Sequence, residues 1–147
     1  FVDYDLAGIA LAAERRLAIR MDTNVSRPDF DHFRALAAGH LEQLASISVS
    51  PEELGVWRSG LEDFAEADAE GGWPSFFAMG LRSRGQVLGI LAIGSRRPGV
   101  FTPQVARTLR MVEFPLAAVV DSAYHHQKLL EQEARLSLSS LYGDPDS

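Results

Sequence analysis

The run at residues 6–11, LAGIAL, is apolar on both of its alternating sets, Leu6, Gly8, Ala10 and Ala7, Ile9, Leu11. A strand apolar on both faces belongs in the middle of a covered sheet. The charged turn Glu14-Arg15-Arg16 follows, after which Leu17, Ile19 and Met21 alternate with Ala18 and Arg20. That pattern predicts a partner strand buried on one side, so residues 6–21 read as a hairpin. Residues 22–28 are polar and rich in turn formers. Beyond them Phe30, Phe33, Ala37, Leu41 and Leu44 recur at helical spacing, with Gly39 inside the run at a cost of about 1 kcal/mol against alanine.

Ser50-Pro51-Glu52-Glu53 reads as a short capped turn, residues 56–61 as an edge strand, and residues 63–74, with Gly71-Gly72, as an acidic loop. The clearest pattern is SFFAMGLR (75–82), a turn Ser83-Arg84-Gly85, and QVLGILAIGS (86–95). This predicts a second hairpin whose return strand is apolar on both faces, with Gly85 supplying positive φ. After the loop RRPGV, Thr102 caps a helix, Pro103 takes its first position and Phe101 precedes the cap. Val105, Leu109, Val112, Leu116, Val119, Ala123, His126 and Leu130 then alternate in steps of four and three, a heptad seam. Pro115 is expected to kink that helix at roughly 3 kcal/mol, and after Leu136 the composition turns to a frayed end. The fold class expected is α+β: an antiparallel sheet covered by helices on both faces, with a long C-terminal helix.

The chain has 147 residues, of which 46% are hydrophobic, enough for one domain with a real core. Fourteen Lys and Arg against twenty Asp and Glu leave a net charge of −6, which argues against a nucleic-acid surface built of clustered cations. The absence of cysteine excludes disulfides, thiolate zinc sites, catalytic thiols and thioether-linked chromophores, and fits a cytoplasmic setting. No run is long enough to span a bilayer, so no membrane contact is expected of this stretch. Since Phe1 is not an initiator methionine, the sequence reads as a piece of a larger chain.

The stretch 76–123, FFAMGLRSRGQVLGILAIGSRRPGVFTPQVARTLRMVEFPLAAVVDSA, resembles the C-terminal half of GAF domains. Members of that family carry an apolar strand ending in Pro-Leu, a short turn with glycine, a Gly-Val-Leu-x-Leu strand, and an aromatic-Thr/Ser start to a long helix. Here Gly80-Leu81 replaces Pro-Leu, while Gly89-Ile90-Leu91-Ala92-Ile93 and Phe101-Thr102-Pro103 match the later elements. The opening hairpin also fits, residues 22–74 match poorly, and the family's N-terminal helix is missing, with residues 1–4 as its last remnant. The resemblance implies a GAF/PAS-like, non-catalytic sensory domain over residues 1–124. It also implies a signalling-helix extension and linker over 125–147, leading to an output domain in the same chain of a bacterial signalling protein. It implies a homodimer paired through Val119, Ala123, Leu129 and Leu130, and a small-molecule or partner signal.

Family members hold ligands between the sheet and the segment joining the early and late strands. Phe33, Trp57, Arg58, Trp73 and Phe76 come from that region. Either they line a ligand hollow, with Arg58 holding a carboxylate or phosphate, or the aromatics are ordinary core. The family's cyclic-nucleotide, bilin and methionine sulfoxide reductase signatures are absent, so no cofactor is assigned. His125 and His126 are adjacent and cannot share a helix face, and His32 and His40 lie eight apart, so no metal site and no catalytic residue is assigned. Two alternatives stay open. One is a dimerisation scaffold without a ligand. The other is an acyl-CoA-dependent acetyltransferase of the GNAT type, against which stand Phe101 where a phosphate loop needs a small residue and Pro98 where it needs a donor.

Overall fold

The computed structural model describes residues 4–61, 63–65 and 72–142. Part of the acidic loop, the three residues before Tyr4 and the last five residues lie outside that range. The first hairpin is β1 (Leu6–Leu11) and β2 (Arg16–Met21), antiparallel, with Ile9 opposite Ala18. Helix α1 (Arg27–Ala45) starts at Ser26, whose side chain accepts a hydrogen bond from the Asp29 N–H, and ends at Ser46 in the left-handed region. A 3-10 turn at Pro51–Glu53 leads into β3 (Gly55–Gly60), and β4 (Ser75–Ser83) and β5 (Gln86–Ser95) form the second hairpin. Its two-residue turn has positive φ at both Arg84 (53°) and Gly85 (78°). That is the combination whose twist matches the flanking strands.

The five strands form one sheet in the order β3-β2-β1-β5-β4. The sheet is mixed, which corrects the antiparallel expectation: β3 runs parallel to β2, with Trp57 beside Ala18. The reason is the helix between them. Crossing the sheet, α1 returns the chain to the end at which β2 began, and the next strand must run the same way.

One face is fully built. Leu17, Ala10 and Ile90 lie side by side across β2, β1 and β5, and all are buried under Phe33, Ala37 and Leu41 of α1. Among the described residues, the opposite face is covered only over β4 and β5. There Phe77, Met79, Leu81 and Ile93 pack against Leu109 and Ala117 of the C-terminal helices, with Ala7, Ile9 and Leu91 at the margin. The expected cover on both faces therefore holds for half of the sheet.

The C-terminal helix is two helices, α2 (Pro103–Arg110) and α3 (Glu113–Tyr142). Thr102 caps α2, its Oγ1 accepting from the Val105 N–H at 3.2 Å. The chain breaks at Met111 and Val112, so Pro115 falls in the first turn of α3, where its missing N–H would have had no partner. The expected interior kink is thereby replaced by a restart. The restart also rotates Val112 outward, 42% exposed, whereas Leu109 stays buried. The frayed end expected after Leu136 is helical to Tyr142.

Candidate functional site

Of the five residues considered for a ligand hollow, three converge. Phe33 meets Trp73 and Phe76 edge-on, with ring centroids 5.7 and 5.6 Å apart. Phe33 is completely buried, Trp73 nearly so, and the Trp73 indole N–H donates to the Asp29 carbonyl at 2.9 Å. His40 stacks on Phe76 at 5.3 Å. These rings fill the space between α1 and the sheet. A β-carbon added to Gly94 would lie 2.9 Å from Trp73 and 3.1 Å from Phe33. Asp29 pins the arrangement: its carboxylate accepts from the Gly72 N–H at 3.3 Å and lies 3.8 Å from Arg96.

Arg58 lies on the same face, its guanidinium 4.4 Å from the Phe64 ring centroid and 5.8 Å from that of Phe30. Trp57 does not. Successive strand residues point to opposite faces, so Trp57 emerges on the other side of the sheet, 69% exposed. The five residues thus do not line one cavity.

Trp57 marks the feature that sequence reasoning missed. Trp57, Ala18, Ile9, Leu91 and Met79 are neighbours across all five strands, one transverse row on the α3 face. Met79 at one end is buried beneath α3, and Trp57 at the other stands open. Between them runs an apolar trough made of two hollows, about 390 and 440 Å³, that share Ile9 and Ala18. Val119, Val120, Ala123 and Tyr124 of α3 form its wall, and Glu14, Arg16 and Gln86 its polar rim. Each volume lies within the range typical of small-molecule sites, roughly 300–1,000 Å³.

The residues considered for helix pairing are all exposed: Val119 (64%), Ala123, Leu129 (59%) and Leu130 (53%). Ala117, Val120, Asp121 and Tyr124 carry the sheet-facing side of α3, whereas the described side chains from His125 to Ser137 are all exposed. At 1.5 Å per residue, the stretch from His125 to Tyr142 extends about 25 Å. The Tyr124 phenol beside Lys128 raises the ammonium's pKa. Among the described residues, no three His, Asp or Glu side chains converge on a metal position and no helix is long and apolar enough to cross a membrane. Compared with known proteins, the chain matches no family model, no curated protein and no solved structure.

Proposed function

We propose that this chain is a non-catalytic sensory or regulatory module of the GAF type, which pairs with a second copy through α3 and conveys the state of its sheet to an output domain. The observation that carries the reading is a helix anchored on the sheet by Ala117 and Val120 that then leaves it with Val119, Ala123 and Leu130 uncovered along one side. An apolar stripe of that length stays exposed unless a partner covers it. The trough supports the sensing part, because a molecule seated there touches Val119 and Ala123 and so bears directly on the pairing helix.

Sedimentation equilibrium tests the pairing. The chain is expected to be dimeric at micromolar concentration and Val119→Glu/Leu130→Glu monomeric, with unchanged circular dichroism. A wild-type chain that is monomeric at about 1 mM, where binding weaker than about 4 kcal/mol escapes notice, would overturn the reading.

A scaffold without a ligand is the second reading, favoured by the filled space around Phe33, Trp73 and Phe76. Thermal-shift screening separates the two, since a ligand selective for the folded state raises its melting temperature.

A further inference from the structure

On the side of α3 away from the trough, a second cleft of about 640 Å³ lies between the helix and the β4–β5 turn. Its polar lining is Arg82, Ser83 and Arg84 from the hairpin and Asp121, Ser122, His125 and His126 from the helix; Phe114 and Leu129 line its apolar parts. In a chain of net charge −6 this cleft gathers two guanidiniums and two imidazoles around a single carboxylate. Charges farther off than about 8 Å are largely screened at physiological salt, so the local set governs what binds.

The carboxylate is already engaged. Asp121 accepts from the Ser83 hydroxyl at 2.8 Å, and it lies 3.1 Å from His125 Nε2 and 3.7 Å from Arg84 Nε. Its side chain is only 16% exposed, and it braces the turn against the helix. Arg84 meets it through Nε, and the terminal guanidinium nitrogens make no hydrogen bond among the described residues. Arg82, Ser122 and His126 have no hydrogen bond or ion pair there either. Donors that face solvent across a cleft, beside a carboxylate already committed to its own partners, can turn to an oxyanion. Two planar forks suit one with several oxygens. Phe114, 82% exposed, and the half-open Leu129 add apolar surface that an inorganic ion would leave uncovered.

We propose that the cleft between the β4–β5 turn and α3 binds a small organic oxyanion, a carboxylate or phosphate monoester carried on an aromatic or short acyl body. Arg82 and Arg84 hold the oxyanion, Ser122 and His126 complete its donors, and Phe114 or Leu129 packs on the body. Val119, Ala123 and Leu130 lie about a third of a turn round the helix from the cleft, with His126 between the two sets. Leu129, considered above for pairing, falls on the cleft side instead, so pairing through Val119, Ala123 and Leu130 leaves the site open, and its occupancy does not rest on the pairing.

Phenyl phosphate titrated into ¹⁵N-labelled chain tests this, with inorganic phosphate and phenol as separate arms. Saturable amide shifts at 82–85 and 118–129 are expected. Affinity is expected to fall at least tenfold in Arg82→Gln/Arg84→Gln and to stay unchanged in Arg27→Gln on α1. Inorganic phosphate should move the same amides more weakly. Absence of saturation, phenol binding that the arginine variants leave intact, or inorganic phosphate binding as tightly as phenyl phosphate would each overturn the proposal. Both arginines are exposed, so circular dichroism of the double variant should match wild type. Sedimentation of the wild-type chain beside the titration separates the two ideas: a monomeric wild type with saturable shifts sinks the dimer and keeps the site, a dimeric wild type without them sinks the site alone, and shifts lost in monomeric Val119→Glu/Leu130→Glu would show that the site needs the pairing.

Discussion

Gly89→Ala should be among the most damaging small substitutions in this chain, although it adds one methyl group. Gly89 lies opposite Leu11 where β5 crosses β1. A β-carbon built there would lie 2.2 Å from the Ala10 carbonyl oxygen, against the 3.4 Å at which ordinary contact starts. The obstacle is backbone inside a hydrogen-bonded pair, which no side-chain rotation relieves. Overpacking of this kind costs about 1–3 kcal/mol, and parting the strands locally forfeits one or two hydrogen bonds at about 1 kcal/mol each. The expected loss is about 2–5 kcal/mol out of a typical total of about 5–15. Gly80→Ala is the matched control: it lies on the same hairpin, and its nearest neighbour would be Val87 Cγ1 at 3.7 Å. It should cost nothing, or add up to about 0.5 kcal/mol by removing a strand glycine. Urea titration reads both. At a slope of about 1–3 kcal/mol/M, Gly89→Ala lowers the midpoint by about 1–3 M and Gly80→Ala leaves it in place. A Gly89→Ala midpoint equal to wild type would refute the β1–β5 register, and equal losses at both sites would show that close approach is not the cause.

The two tryptophans should behave as opposites in single-tryptophan variants. Trp57, left alone in Trp73→Phe, should emit like an indole in water and quench fully with acrylamide. Trp73, left alone in Trp57→Phe, should be blue-shifted and protected, and shielding of Trp57 would show that the sheet face is covered. Trp73→Phe should also cost about 1–2 kcal/mol by leaving the Asp29 carbonyl without its indole donor, measured by the same urea titration. Asp22 contributes above the acid range: the neighbouring Tyr4 hydroxyl and Arg20 Nε, which donates to it at 2.8 Å, favour its carboxylate and lower its pKa in the folded chain. A group lowered on folding stabilises above its unfolded value near 3.8 and loses that contribution as pH falls through the lower, folded value. Asp22→Asn should therefore be less stable than wild type at pH 6, with the difference closing below pH 4 (about the carboxylate range). A difference that widens on acidification would contradict the assignment.

What the hydrophobic pattern reveals is which side chains share a face, and here it was informative. Alternation in LAGIAL and in QVLGILAIGS placed both central strands, and the four-and-three spacing from Phe30 to Leu44 placed α1. Strand direction leaves no such mark. The parallel β3 follows from where α1 delivers the chain, a consequence of tertiary packing. The break at Met111 was hidden for a related reason: heptad spacing runs through it unchanged, and only the advantage of Pro115 in a first turn over a helix interior decides where α3 begins.

The site was less legible because its parts come together only in three dimensions. Phe33, Trp73 and Phe76 do meet ring against ring, yet sequence spacing does not distinguish rings that line a hollow from rings that fill it; the indole bond to Asp29 and the tight fit around Gly94 do. Trp57 carried a usable signal in parity. Adjacent strand residues face opposite ways, so the expectation that Trp57 and Arg58 share one hollow was already at odds with strand parity. The trough too was half visible, since Ala7, Ile9 and Ala18 make the second face of the first hairpin apolar, and among the described residues it is the C-terminal helices that pack on that side of the sheet. Those helices lie over β4 and β5, where Ser83 ties the turn to Asp121, and cannot also reach β2 and β3. The open face is therefore a consequence of where α3 is anchored. A shift of that helix across the sheet therefore alters the trough on one flank and the cleft on the other together.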